Sequence, residues 1–119
     1  MTDEFREISV SELREKMLAN DGGKFTILDV RELWELNLAS LVDKRVVNVP
    51  MSRISELYHE AFPEELRSPQ EEIVVMCHHG IRSASVAMWM MQNGWMNVSS
   101  LAGGIAAYAQ EIDPEVGEY

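Results

Sequence analysis

The sequence is poor in cysteine and in positive charge. One cysteine, Cys77, in 119 residues allows no internal disulfide, so the fold must rest on packing alone. Lys and Arg number 10 against 20 Asp and Glu, a formal charge of −10. That balance argues against nucleic acid or an anionic membrane as a partner, because both demand a basic face. Any anion site must therefore be made locally, against the field of the whole molecule. Long apolar runs are missing too. Residues 83–110 carry no Asp, Glu, Lys or Arg, yet Gln92, Asn93, Gly94, Asn97 and the Gly103-Gly104 pair interrupt them. Such a stretch describes a buried half-domain rather than a membrane span. The opening MTDEFREI lacks the basic and apolar regions of a signal peptide. With a lone free cysteine, a reducing cytoplasm is the expected location. Repeats, low-complexity tracts and linkers are also lacking, and the length suits one domain over 1–119.

What is present is an alternation of elements. Ser9-Val10-Ser11-Glu12 has the spacing of a capping box. Leu13 and Met17 then share a helical face out to about Asn20, where Asp21-Gly22-Gly23 stops the helix. FTILDV, 25–30, is a short, β-rich apolar run and predicts a buried strand. Residues 31–38 suggest a short helix with Leu33, Trp34, Leu36 and Leu38 in apolar contact. VVNVP, 46–50, predicts a second strand. Ile54, Leu57, Tyr58 and Ala61 fall at i, i+3, i+4, i+7, an amphipathic helix ended before Pro63. IVVMC, 73–77, predicts a buried strand, followed by a helix from about Ser83 to Gln92. VSSL, 98–101, reads as the last strand, Gly103-Gly104 opens a helix bearing Ile105 and Tyr108, and DPEVGEY forms a surface tail. Alternating strands and helices imply an α/β fold with a mostly parallel sheet, flanked by helices on both faces. Sites in such folds form beyond the carboxyl ends of the strands. Two strands end in chemistry there, one at Asp29 with Arg31 just beyond, the other at Cys77.

Cys77 stands between a buried strand and a buried helix, and the loop His78, His79, Gly80, Ile81, Arg82, Ser83 connects them. Such a loop can curl so that successive N–H groups point inward as an anion cradle. The helix start adds about half a positive charge, and Arg82 a full one. These terms favour thiolate over thiol, while burial opposes them. The plain alternative is an inert buried cysteine, the usual fate of a lone one. Spacing separates two chemistries. A cysteine phosphatase uses Cys-x5-Arg to wrap a tetrahedral phosphate, whereas Cys77 to Arg82 is Cys-x4-Arg. The tighter ring suits a single sulfur carried on the cysteine, and it argues against a phosphatase or arsenate reductase.

Four segments in order carry a family resemblance: ILDVRE (27–32), VNVP (47–50), IVVMCHHGIRSASVA (73–87) and NGWMNVSSLAGGIAAY (93–108). The chain resembles a single-domain rhodanese, of the sulfurtransferase family, over nearly its whole length. The resemblance implies a rhodanese-like α/β fold with a parallel sheet of about five strands. It implies that Cys77 accepts a sulfane sulfur from thiosulfate or a persulfide donor and passes it to cyanide or a thiol. No cofactor is implied; the partners are a small-molecule donor and acceptor, with a protein acceptor as a further option. One segment departs from the family: ASLVDKRVVNVP, 39–50, lacks the usual Gly-His-Ile and Pro-Gly-Ala.

His78 and His79 could tune charge near the sulfur or relay a proton, or could simply pack and face solvent. A metal site built from Cys77, His78 and His79 is not expected, since adjacent residues rarely converge on one ion. Asp29 and Arg31 could border the site, and are favoured as supporting residues that hold the loop through an ion pair or backbone hydrogen bonds. Met76, Met88, Met90, Met91 and Met96 read as core filler. Trp34, Met51, Ser52 and Arg53 could rim the mouth of the pocket. The competing function is a non-catalytic binding or sulfur-sensing module.

Overall fold

The computed structural model describes residues 6–19 and 23–119. Five strands, β1 (Arg6–Ile8), β2 (Thr26–Asp29), β3 (Val46–Asn48), β4 (Ile73–Met76) and β5 (Val98–Leu101), form one sheet in the order β1-β5-β4-β2-β3. Every pairing in it is parallel. Four helices cover it: α1 (Val10–Leu18), α2 (Met51–Leu57), α3 (Ile81–Gln92) and α4 (Gly104–Glu111).

The two faces follow from strand alternation. Leu28, Ile73 and Val75 point to one face, where they meet Ile54 of α2 and Val86, Ala87 and Met90 of α3. Ile27, Val74 and Met76 point to the other, against Val10 and Leu13 of α1 and Ile105, Tyr108 and Ala109 of α4. A central strand buried on both sides has no polar alternation, which is why β4 reads IVVM. Each Leu or Ile so buried stabilises the fold by about 1.5–3 kcal/mol.

Helix α1 starts as its sequence predicts. The Ser9 side chain accepts from Glu12 N at 3.0 Å, and the Glu12 carboxylate accepts from Ser9 N at 3.0 Å. It ends at Leu18 with Ala19 extended; Asn20, Asp21 and Gly22 of the expected stop lie outside the described residues.

Several expectations need correction. Strand β1 was not foreseen: three residues are too short to show a period, and they pair only with β5 at the sheet edge. The 31–38 segment forms a 3-10 turn over Leu33–Asn37 and inverts the expected burial. Leu33, Trp34 and Leu38 are exposed, and Glu35 is buried. Helix α2 begins at Met51 and breaks at Tyr58, whose φ is +53°. Ala61 still packs against the core, but Tyr58 is exposed, and Phe62 and Leu66 fill the core beyond the break. Helix α3 begins at Ile81, two residues earlier than Ser83. Met76 and Met90 are core residues, but Met88 and Met96 are exposed. Lastly, the tail is no mere surface segment: Val116 is buried, and Tyr119 packs on His78.

Candidate active site

Strands β2 and β4 are neighbours, with Asp29 in register with Met76. The residues that follow them therefore emerge side by side at the carboxyl edge of the sheet. Cys77 leaves β4 there and is 1% exposed. Its Sγ accepts a hydrogen bond from Gly80 N at 3.1 Å and another from Ser83 N at 3.2 Å. The thiol also lies 3.4 Å from Ser83 Oγ, which is paired with Ser100 Oγ at 2.8 Å. Both N–H groups belong to the loop and first turn of α3, where no intrahelical carbonyl is available to them. The ring closes because Gly80 takes a φ of +103°, a left-handed conformation open to glycine.

The carbonyls of the loop are turned the other way. Ile105 N donates to Cys77 O at 2.9 Å and Ala106 N donates to His78 O at 3.0 Å. The first turn of α4 thus holds the start of the loop by its oxygen atoms and leaves N–H groups to face the sulfur. This approach needs Gly104. At its φ of +62°, a Cβ would lie 2.4 Å from Cys77 O and 2.5 Å from His78 O.

Arg82 does not point freely into the ring. It grips Glu35 with two bonds, Nη1 to Oε2 at 2.7 Å and Nη2 to Oε1 at 2.8 Å. The Arg82 hydrogen bonds hold the Glu35 carboxyl down at about 2, with bonds from Tyr119 and the Glu32 N–H adding to the effect and burial opposing it. Asp29 and Arg31 form a second pair, fully enclosed, with Nη2 to Oδ2 at 2.8 Å and Nε to Oδ1 at 3.0 Å. Asn48 braces that turn by donating to Asp29 O and Arg31 O. Tyr119 joins the two pairs, accepting from Arg31 Nη1 at 3.2 Å and donating to Glu35 Oε1 at 2.7 Å. Its ring stacks on His78 at 3.7 Å between centroids, and His79 stacks on the other side at 3.8 Å. Burial, together with the charge of His79, pushes the His78 imidazole below its ordinary value.

Cys77, Gly80 and Ser83 thus come together at the sulfur, and Arg82 lies just behind, locked to Glu35. His79 and Ile81 are exposed, His78 is part-buried in the ring stack, and Asp29 and Arg31 bond to each other, with Arg31 also donating to Tyr119, rather than to the sulfur. Glu35 and Tyr119 were missed by sequence reasoning. Glu35 sits in an apolar run that reads as a helix face, and Tyr119 lies 84 positions away with no local pattern to mark it. Of the suggested rim, Trp34, Ser52 and Arg53 are exposed. Met51 instead lines a groove of about 340 Å³ between α2 and α3, with Ile54, Tyr58, Val86 and Trp89. Among the described residues, no cluster of three or more His, Cys, Asp or Glu is placed to hold a metal ion. Nor, among them, is any helix long and apolar enough to cross a membrane.

The parallel sheet, with a buried cysteine accepting two N–H bonds at its strand–loop–helix junction, places the chain in the α/β class. The chain belongs to the rhodanese family: the Rhodanese-like domain model matches residues 9–111. It is 31% identical over 117 residues to the chloroplastic Rhodanese-like/PpiC domain-containing protein 12 of Arabidopsis thaliana, covering 96% of this chain and 37% of that one. It is 30% identical to an adenylyltransferase and sulfurtransferase, MOCS3-2, of Zea mays, covering 87% of this chain and 21% of that protein. The chain therefore spans well under half the length of these curated relatives. Among solved structures, a rhodanese-related protein from Thermoplasma volcanium superposes with a TM-score of 0.71 at 30% identity, covering 91% of this chain and 94% of that one.

Proposed function

We propose that this chain is a sulfurtransferase that carries a sulfane sulfur on Cys77, taking it from thiosulfate or a persulfide and passing it to cyanide or a thiol, which can belong to a protein. The observation that carries this reading is the pair of N–H bonds on Sγ, at 3.1 and 3.2 Å, with the neighbouring carbonyls drawn off by α4. Membership of the rhodanese family and the sulfurtransferase named in the maize relative support it.

In the loading step the Cys77 thiolate attacks the outer sulfur of the donor. The new bond is Sγ–S, the old bond from the outer sulfur to the donor body breaks, and the electron pair leaves with that body, as sulfite from thiosulfate. The persulfide is left as an anion, which the inward N–H groups stabilise as charge-assisted acceptors. In the discharge step the acceptor thiolate or cyanide attacks the outer sulfur, and the electron pair returns to Sγ. The cycle needs a reduced cysteine, which suits a reducing compartment such as the cytoplasm.

Mass spectrometry after incubation with a panel of sulfur donors should show one added sulfur, lost in Cys77→Ser. Absence of the adduct with every donor would sink the reading. One observation favours a second function, a non-catalytic docking module: Leu33 and Trp34 are 68% and 64% exposed beside the site. A partner captured equally by wild type and Cys77→Ser, with no turnover by either, would establish it.

A further inference from the structure

The segment after α4 returns to the cysteine loop, and it is anchored along its way. Asp113 caps the 3-10 turn Pro114–Val116 by accepting from Glu115 N at 3.0 Å. Val116 is buried in one core cluster with Ala39 and Leu41, and its carbonyl accepts from Ser40 N at 2.8 Å. Gly117, at a φ of +98°, passes so close to the chain that a Cβ there would lie 2.7 Å from Leu38 O. Ala39, Ser40 and Leu41 belong to the segment that departs from the family pattern. The tail is thus docked on the part of this chain that is its own.

That anchoring delivers Tyr119 to both ends of the loop. Its ring stacks on His78, the residue after Cys77, with centroids 3.7 Å apart. Its hydroxyl accepts from Arg31 Nη1 at 3.2 Å, and guanidinium can only donate, so the hydroxyl proton goes to Glu35 Oε1 at 2.7 Å. The same oxygen accepts from Arg82 Nη2 at 2.8 Å. One side chain therefore bears on the first residue of the loop and on the carboxylate that holds Arg82. The two donors on Sγ, Gly80 N and Ser83 N, lie within that span or just beyond it. We propose that Tyr119 is a positioning residue for sulfur transfer, acting through His78 and Glu35 to keep the N–H groups of the loop aimed at the sulfur. The inference rests on the sulfurtransferase reading and deepens it. Fixed donors stabilise charge developing on the reacting atom only while they stay aimed at it.

The test is single-turnover loading of Cys77, followed by mass spectrometry at a temperature where every variant is folded. The donors are those that load the wild type, thiosulfate and glutathione persulfide first. At saturating donor, Tyr119→Ala should load at least about tenfold more slowly, as small misplacements of a site do. The half-saturating concentration should change by less than about threefold, because the lost aim serves the transition state rather than donor binding. Tyr119→Phe keeps the ring on His78 and should recover at least about threefold of the lost rate. Trp95→Phe controls for stability alone. It breaks the Trp95 Nε1 bond to Leu66 O, 2.7 Å long, just before β5 at the amino end of the sheet, and it should load as the wild type does. Hydrogen exchange, read by NMR, reports the loop without turnover. Relative to the Val75 amide of β4, the Gly80 and Ser83 amides should exchange faster in Tyr119→Ala and unchanged in Trp95→Phe. Wild-type loading by Tyr119→Ala overturns the inference, as does a loss matched by Trp95→Phe, a loss confined to the half-saturating concentration, or unchanged exchange at both amides. If no donor loads the wild type, the sulfurtransferase reading itself fails and takes this inference with it.

Discussion

The segments after β4 and after β2 leave adjacent strands at the same edge, yet they are held by different means. The first, residues 77–83, is closed by backbone: two N–H groups on Sγ, and two carbonyls taken by α4. The second, from Asp29 to Glu35, is closed by buried side-chain charges that need Arg82 and Tyr119 from elsewhere in the chain. Backbone closure depends on where a side chain must be absent. Side-chain closure depends on which partners meet, and a buried charge without its partner is costly.

The sharpest way to break the backbone half is Gly104→Ala. Its methyl would lie within 2.6 Å of backbone atoms of Cys77 and His78 at a left-handed φ. We expect a loss of about 3 kcal/mol or more, or failure to fold, measured by urea denaturation. A loss below about 1 kcal/mol would mean that α4 can shift without disturbing the loop.

Breaking the side-chain half should cost less, because Arg82 is 31% exposed in its side chain whereas Glu35 is 3%. Arg82→Gln should lower stability by about 1–2 kcal/mol at pH 7, after discounting for solvent screening on the arginine side. The pH dependence gives the sign. Glu35 is held at about 2, below the value of a free carboxyl. Its contribution is complete above the unfolded pKa near 4.3 and fades as pH falls from there toward 2. Acid unfolding curves of Arg82→Gln should therefore be flatter than wild type over that window.

Tyr119 separates stacking from hydrogen bonding. Tyr119→Phe keeps the ring on His78 but loses the bonds to Arg31 and Glu35, for about 1 kcal/mol. Tyr119→Ala also uncovers His78, whose imidazole is held down chiefly by burial and by the charge of His79, against Glu35 and a backbone hydrogen bond to Tyr119. Its titration, followed by NMR, should move up toward 6.5 in Tyr119→Ala. The smallest effect is expected for Ser83→Ala, which keeps both N–H bonds to sulfur. Persulfide loading should fall by less than about tenfold, and a larger loss would show that the hydroxyl matters more than the backbone ring.

The two halves also differ in how legible they were. The cysteine loop is contiguous, so a buried run ending in Cys77, a glycine at 80 and a helix beyond announce it locally. Glu35 and Arg82 lie 47 positions apart, and Tyr119 and Arg31 lie 88 apart, separations over which no period operates. Trp34 and Leu33 misled for a related reason. In a 3-10 turn the face set by 3.6-residue spacing does not exist, and the carboxylate between apolar neighbours turned inward to meet the Arg82 guanidinium, the Tyr119 phenol and the Glu32 N–H. Strand β1 was invisible because an edge strand of three residues carries no pattern of its own.

Local order in the chain was enough to determine the parallel α/β architecture, the two-sided burial of β4 and the placing of Cys77 at a strand end before a helix. Those features depend on neighbours within a few residues, where alternation, capping and glycine conformation act. The fate of the charges was decided only by tertiary structure. Whether Arg82 faced the sulfur or a carboxylate depended on Glu35 arriving from the β2 side and Tyr119 from the tail. Electrostatic pairing acts through space, and the distances that govern it exist only once the sheet has brought its carboxyl edges together.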